Sequence, residues 1–293
     1  MATSPTSPFT FALIGAGSVG TAVAELLKRA GNAPEAVASR TMESASRAST
    51  LLGARVVAIH ELPPVDVVLI GAPAGAVDEV ATLIAPRLDV GTVVIHFAGS
   101  LGIEPLRSVL AVGAHRAALH PVQACPDIET AIARIPASAW GVACDEGLND
   151  WCLQLVENDL GGSVYWVSDA DRAVWHAAAV VVSNGIAGLL ATGEDLLASI
   201  AVKQPELALG PLAAGTLENA RSGGGGGKTL TGPAVRGERE TITRHLDGIA
   251  RADKELLHPY RLATVLTIQA AVRAGRIDSV EAHEMLALLR ART

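Results

Sequence analysis

Along residues 9–167, short apolar runs alternate with stretches of helical period. The runs fall at 9–14, 36–38, 55–58, 65–70, 92–97, 116–121, 140–144 and 163–167. Helical patterns at 21–30, 77–85 and 147–160 lie between them. The near-continuous apolar character of 65–70 marks a strand buried on both faces. Strand alternating with helix predicts an α/β fold with a doubly wound parallel sheet, whose ligand lies at the carboxyl ends of the strands. The period changes at Ser168, an N-cap candidate with Asp171 three residues on, and a long apolar helix follows over 173–191. Everything downstream reads as helical: 207–221, 239–250, 254–258, 260–274 and 279–290, with Gly275 and Asp278 separating the last two. The pattern predicts a loose tail at 1–8, a sheet domain at 9–167 and an all-α domain at 168–293. Five consecutive glycines within 222–227 read as a mobile loop.

Composition narrows this picture. With 49% hydrophobic and 18% charged residues in 293, the chain is globular and long enough for two domains. A formal net charge of −7 argues against a nucleic-acid partner. The first eight residues carry neither a charged segment nor an apolar core, so no secretory leader is expected. Cys125, Cys144 and Cys152 show no Cys-x-x-Cys pairing, which suits buried thiols in a reducing cytoplasm. The apolar stretch 173–191 has the length of a membrane span. It also carries Trp175, His176, Ser183 and Asn184, so we read it as a buried core helix rather than a membrane segment. No His/Cys/Asp/Glu cluster has metal-ligand spacing. Gly223-x-x-x-x-Lys228-Thr229 has the outline of a phosphate loop, but no strand precedes it.

The first chemistry appears at the end of the first run, Gly15-Ala16-Gly17-Ser18-Val19-Gly20. Gly-x-Gly-x-x-Gly between a strand and a helix is the Rossmann dinucleotide fingerprint. Gly15 permits the turn, Gly17 lets backbone approach a pyrophosphate, and Gly20 lets the helix pack close. NAD enzymes place an Asp or Glu at the exit of the second strand. Ser39, Arg40 and Thr41 stand there instead, and Arg47 follows in the next helix. A guanidinium with two hydroxyls suits a 2′-phosphate, so NADP is favoured over NAD. The later exits, Gly71-Ala72-Pro73 and Ala98-Gly99-Ser100, should face the same crevice. His96, Ser100 and His120 sit at strand exits, where catalytic groups commonly lie. His60, His115, His258 and His283 fall outside these groupings.

The helical half concentrates its polar residues in two places. His176 and Ser183 share a face of the long helix, and Asn184 lies roughly 80° round from His176. The patch reads either as substrate-facing groups or as hydrogen-bonded core residues. The second place runs from Lys228 through Thr231, Gly232, Pro233, Arg236 and Gly237 into a helix. An anion-ready helix start beside a guanidinium suits a carboxylate, although Glu238 could pair with Arg236 instead.

In order, Gly15-x-Gly17-x-x-Gly20, His96-x-x-Gly99-Ser100, His120-Pro121-Val122-Gln123, His176 to Ser183-Asn184 and Leu230-Thr231-Gly232-Pro233-x-x-Arg236-Gly237 resemble a bacterial family. It comprises Rossmann-like NADP oxidoreductases with a C-terminal helical domain of unknown function, related to deazaflavin-dependent NADP oxidoreductases. Some members resemble an alternative ketopantoate reductase of pantothenate biosynthesis. The resemblance implies a helical domain of the 6-phosphogluconate-dehydrogenase type and a homodimer. It implies hydride transfer to a small carboxylate-bearing carbonyl substrate, ketopantoate first. Relatives that act on β-hydroxyacids carry a lysine four residues before a helical Asn; here that position, before Asn184, is Val180. His176 is the first substitute proton donor, followed by His120 and Lys228. Asn184 and Ser183 would orient the carbonyl, and Ser100, His96, Thr231 and Arg236 would form the substrate pocket. A pyrroline-carboxylate-type imine reductase and a non-catalytic NADP sensor are the alternatives.

Overall fold

A computed structural model describes residues 8–290; the expected tail lies outside the described residues except for Pro8. The chain forms two compact units that part between Val181 and Val182. The first unit is built on an eight-stranded sheet: β1 (Thr10–Ile14), β2 (Ala33–Ala38), β3 (Arg55–Val56), β4 (Val67–Ile70), β5 (Val93–His96), β6 (His115–Pro121), β7 (Ala139–Cys144) and β8 (Ser163–Trp166). Their order is β3-β2-β1-β4-β5-β6-β7-β8. The chain winds outward from β1 to β3 and then returns to β4, so the order reverses between β1 and β4. That is where an open α/β sheet leaves a crevice beyond its strand ends.

Five helices cover the sheet: α1 (Ser18–Arg29), α2 (Met42–Leu52), α3 (Val77–Ile84), α4 (Ile128–Arg134) and α5 (Asn149–Gln154). Side chains alternate across the strands as a pleat requires. Leu13, Val67 and Leu69 enter one core with Leu27 of α1 and Trp140 of β7. Ile14, Val68 and Ile70 enter the other with Ile84 of α3 and Leu106. Burying each such side chain contributes about 1.5–3 kcal/mol, which locks the register that fixes the strand ends.

The sheet is parallel through β6, but β7 runs antiparallel to β6, and β8 follows β7. Pro121 ends β6, and Val122 N–H donates to Ala139 O at 2.8 Å, closing the connection at its base. The link, which carries α4, thus returns the chain beside β6 in the opposite direction.

Helix α6 (Arg172–Ala198) runs across the division between the units. It overturns the expectation of a buried core helix. Arg172 is its one buried residue, while Val174 is 71% and Val181 70% exposed. Its small and β-branched side chains are distributed all round the helix, so no single apolar stripe directs it into a core. The second unit continues with α7 (Pro205–Ser222), α8 (Gly226–Thr229), α9 (Arg239–Ala252), α10 (Leu257–Arg273) and α11 (Ser279–Arg290). Its core joins Ile242 and Leu246 of α9, Ile268 and Ala271 of α10, and Met285 and Leu289 of α11. The glycine run is not one loop: α7 reaches Ser222, Gly224 and Gly225 turn with φ of +79° and +114°, and Gly226 opens α8.

Candidate functional site

The first unit carries a crevice of about 1020 Å³ beyond the carboxyl ends of β1, β2, β4 and β5. Gly15, Gly17, Ser18, Val19, Gly20, Ser39, Arg40, Thr41, Gly71, Ala72, Pro73, Ala98, Gly99, Ser100 and His176 all line it. Its floor needs glycine. Gly15 holds φ +87°, and a Cβ there would come within 2.8 Å of Ala72 N and 2.9 Å of Gly71 C. A Cβ on Gly20 would lie 2.9 Å from Gly71 Cα. The β1–α1 turn and the β4 exit therefore meet backbone to backbone. Helix α1 begins at Gly17 with no side-chain cap and no acidic residue in its first turn. Its first amides and positive dipole end are open to an anion.

At the exit of β2, Ser39 Oγ lies 3.5 Å from the Ala16 amide that donates to it. Thr41 caps α2, accepting from Ser44 N–H, and its hydroxyl shares a 2.7 Å bond with Ser44 Oγ. Three hydroxyls and the exposed Arg40 thus stand at the start of a helix, all lining the crevice. Ser44 belongs to no sequence motif, and only the start of α2 at Met42 brings it to the crevice. His60, set aside as outside the clusters, also lines the crevice, carried there by the short helical turn Ile59–Glu61.

His96 does not serve as a substrate ligand. Its ring is fully buried; Nδ1 accepts from Ala98 N–H at 3.1 Å, and Nε2 therefore donates to Gly102 O at 2.7 Å. Both nitrogens are occupied in pinning the 97–102 loop. Burial drives its pKa down to about 4, with the Gly102 bond opposing and the Arg172 charge adding. The same loop is held at its far end by Asp169, whose carboxylate accepts from the amides of Ile103 and Glu104. A Cβ on Gly102 would run into that carboxylate and displace it from the two amides.

Gly99 sits in the middle of this loop, and two histidines crowd it. A Cβ on Gly99 would collide with His176 Nδ1 and lie 2.7 Å from His120 Nε2. The rings meet edge to face with centroids 5.3 Å apart. His176 Nδ1 is buried without a hydrogen-bond partner, which leaves a polar atom unsatisfied at the crevice. His120 Nδ1 accepts from the Trp175 indole N–H at 3.2 Å. Burial, then repulsion from His176 and Arg172, lowers its pKa to about 4. Arg172 lies beneath: fully buried, it donates to Gly141 O at 3.0 Å and to Ala118 O at 2.6 Å. Burial lowers its pKa to about 10 against the pull of Asp169, so it stays charged at neutral pH. Arg172, Trp175 and His176 occupy positions i, i+3 and i+4 of one helix face.

The other expected residues lie in the second unit. Ser183 and Asn184 are exposed on α6. Arg236 Nε donates to the Glu238 carboxylate at 2.5 Å, so the ion pair that the sequence allowed does form, on a side chain that stays exposed. Lys228 and Thr231 are exposed, and the Lys228 carbonyl accepts from Arg276. Among the described residues no three His, Cys, Asp or Glu side chains gather to hold a metal.

Glycine cradle, open helix start and strand order together define a Rossmann-like domain, and residues 6–121 match the family model of that description. Residues 138–267 match the model of DUF2520, a domain of unknown function. The chain thus carries a match to a Rossmann-like domain followed by a match to DUF2520. No curated protein matches its sequence. Solved structures share its fold. BF3122 of Bacteroides fragilis, whose assignment as an NADP oxidoreductase is itself provisional, superposes with a TM-score of 0.74 at 22% identity, over 88% of this chain and 97% of that one. Protein TM1727 of Thermotoga maritima gives 0.70 at 22% identity, over 91% and 100%. The pyrroline carboxylate reductase of Plasmodium falciparum, solved with NADP bound, gives 0.58 at 11% identity, over 97% and 99%.

Proposed function

We propose that the protein is an NADP-dependent reductase of a small carbonyl acid, with ketopantoate as the first substrate to test. The observation that carries this reading is the convergence of His120 Nε2 and His176 Nδ1 over Gly99, at the end of a crevice built for a dinucleotide. The glycine cradle fits the cofactor, because the absent side chains leave backbone amides open to a pyrophosphate. Gly15 to Gly20 would hold that group, and Ser39, Arg40 and Thr41 the 2′-phosphate. When bound, NADPH supplies a hydride to the carbonyl carbon. His176 then gives a proton to the developing alkoxide and recovers one from solvent, and Ser100 donates to the substrate carboxylate. The experiment is NADPH consumption by purified protein with ketopantoate, other α-keto acids and cyclic imine acids. Selective loss of NADPH with ketopantoate supports the reading in full. NADPH binding without turnover of any compound leaves a sensor and removes the reductase.

A second substrate class has its own support. The Plasmodium neighbour acts on a pyrroline carboxylate, a cyclic imine acid. An imine nitrogen that arrives protonated needs no acid, so His176→Ala would spare imine reduction and depress ketone reduction. We also propose that the protein is a homodimer in which the exposed apolar surface of α6 meets a second copy. The surface is a long uncharged stretch bearing Val181 (70% exposed), Val182 (63%) and Leu189 (50%), and such a patch marks a contact site.

A further inference from the structure

We propose that Trp175 is a positioning residue whose indole N–H fixes His120 as the Nε2–H tautomer, making His120 a permanent neutral donor to the reacting oxygen beside His176. The inference rests on the reductase reading for its chemistry, but its structural basis is independent. A neutral imidazole has one N–H, and the indole can only donate, so the nitrogen that accepts from it cannot carry the proton. That nitrogen is Nδ1. The proton is therefore on Nε2, the nitrogen facing Gly99.

Trp175 is seated for this task. Gly141, paired opposite His120 across β6 and β7, leaves room for the indole: a Cβ there would stand 2.5 Å from Trp175 Nε1 and 2.7 Å from Cε2. Tyr165 of β8 closes the other side, its ring 5.9 Å from the indole at 37°. Packing from two strands thus holds the N–H in place. The charged and titratable groups facing His120 are His176 and Arg172, both on α6. β7 presents only Gly141 opposite it, and β5 carries His96, which is neutral at physiological pH. Both α6 groups disfavour a second proton on His120, so the ring stays neutral through the working range. A neutral donor polarises the carbonyl and hydrogen-bonds the oxygen as charge develops, without itself losing a proton. His176 alone then transfers the proton, and the balance is one hydride to carbon and one proton to oxygen.

The test is ¹⁵N NMR of the histidine rings in the full-length protein, without substrate, from pH 5.5 to 8. The expected result is a single His120 species protonated at Nε2 throughout. Trp175→Phe keeps the aromatic packing and removes the N–H. In it, His120 should populate both tautomers, while burial and the two α6 groups still keep the ring neutral over this range. Its kcat/KM for the carbonyl acid should fall by about tenfold to 100-fold, with NADPH affinity unchanged. A wild-type His120 protonated at Nδ1, or doubly protonated at pH 6, overturns the inference even if the variant does not fold. So does a Trp175→Phe protein in which His120 keeps the single Nε2–H tautomer. If no carbonyl acid is reduced, the reductase reading fails, while the wild-type tautomer still decides the role of Trp175.

Discussion

At Gly99 one methyl group decides whether two histidines keep their places. Gly99→Ala should lower thermal stability modestly, since both rings must shift to admit the Cβ. It should lower kcat/KM by about 100-fold, the scale of an ångström displacement of catalytic groups. Steady-state kinetics beside a melting curve checks both halves, and a variant with full activity would remove the histidine pair from the mechanism. On the proposed reading, Arg40 carries the preference for NADPH over NADH. Arg40→Ala should raise the Kd for NADPH by about tenfold to 100-fold, the worth of a charge-assisted contact, and leave NADH unaffected. Fluorescence titration with both cofactors measures it. How far single residues were legible depended on whether their partners are local. The glycine spacing could be read directly, because turn geometry constrains residue type, and the place of Ser39-Arg40-Thr41 at the exit of β2 could be read because a parallel strand ends at the crevice. His96 was misassigned because it stands at a strand exit like any other. The partners that occupy its nitrogens are backbone atoms of Ala98 and Gly102, which no residue type announces. Trp175 and Arg172 left only a faint trace, the i, i+3, i+4 spacing with His176.

Among the elements, the strands of the sheet were legible in position but not wholly in direction. Hydrophobic runs report burial, and β7 is as apolar as its parallel neighbours; the reversal lies in how the 122–138 link closes. Helix α6 shows the converse. Its composition is that of a core helix, yet its side chains stay uncovered. Composition records that a surface is apolar and not which surface covers it. If a second copy does so, Val182→Asp should shift the protein from dimer to monomer in sedimentation equilibrium at micromolar concentration. A wild type that sediments as a monomer would remove the dimer from the account.

Two histidines, His96 buried and His120 part-buried, make the folded chain acid-sensitive. His96 and His120 have folded-state pKa values lowered to about 4, so below pH 6.5 the unfolded chain binds protons that the folded one refuses. Stability is fully present above pH 6.5 and is lost as pH falls towards 4. Between pH 7.5 and 5 the fully buried His96 should cost about 2 kcal/mol, and the part-buried His120 less. Urea unfolding at the two pH values reads the difference, which His96→Asn should diminish if the variant folds. The central claim, hydride delivery to a carbonyl acid over the histidine pair, has a more direct test. The protein is incubated with ketopantoate and NADPH deuterated at the nicotinamide C4 position, and the product is examined by mass spectrometry. The account predicts one deuterium on the former carbonyl carbon, with transfer strongly reduced in His176→Ala. No deuterium in any product, from ketopantoate or from a cyclic imine acid, would contradict it.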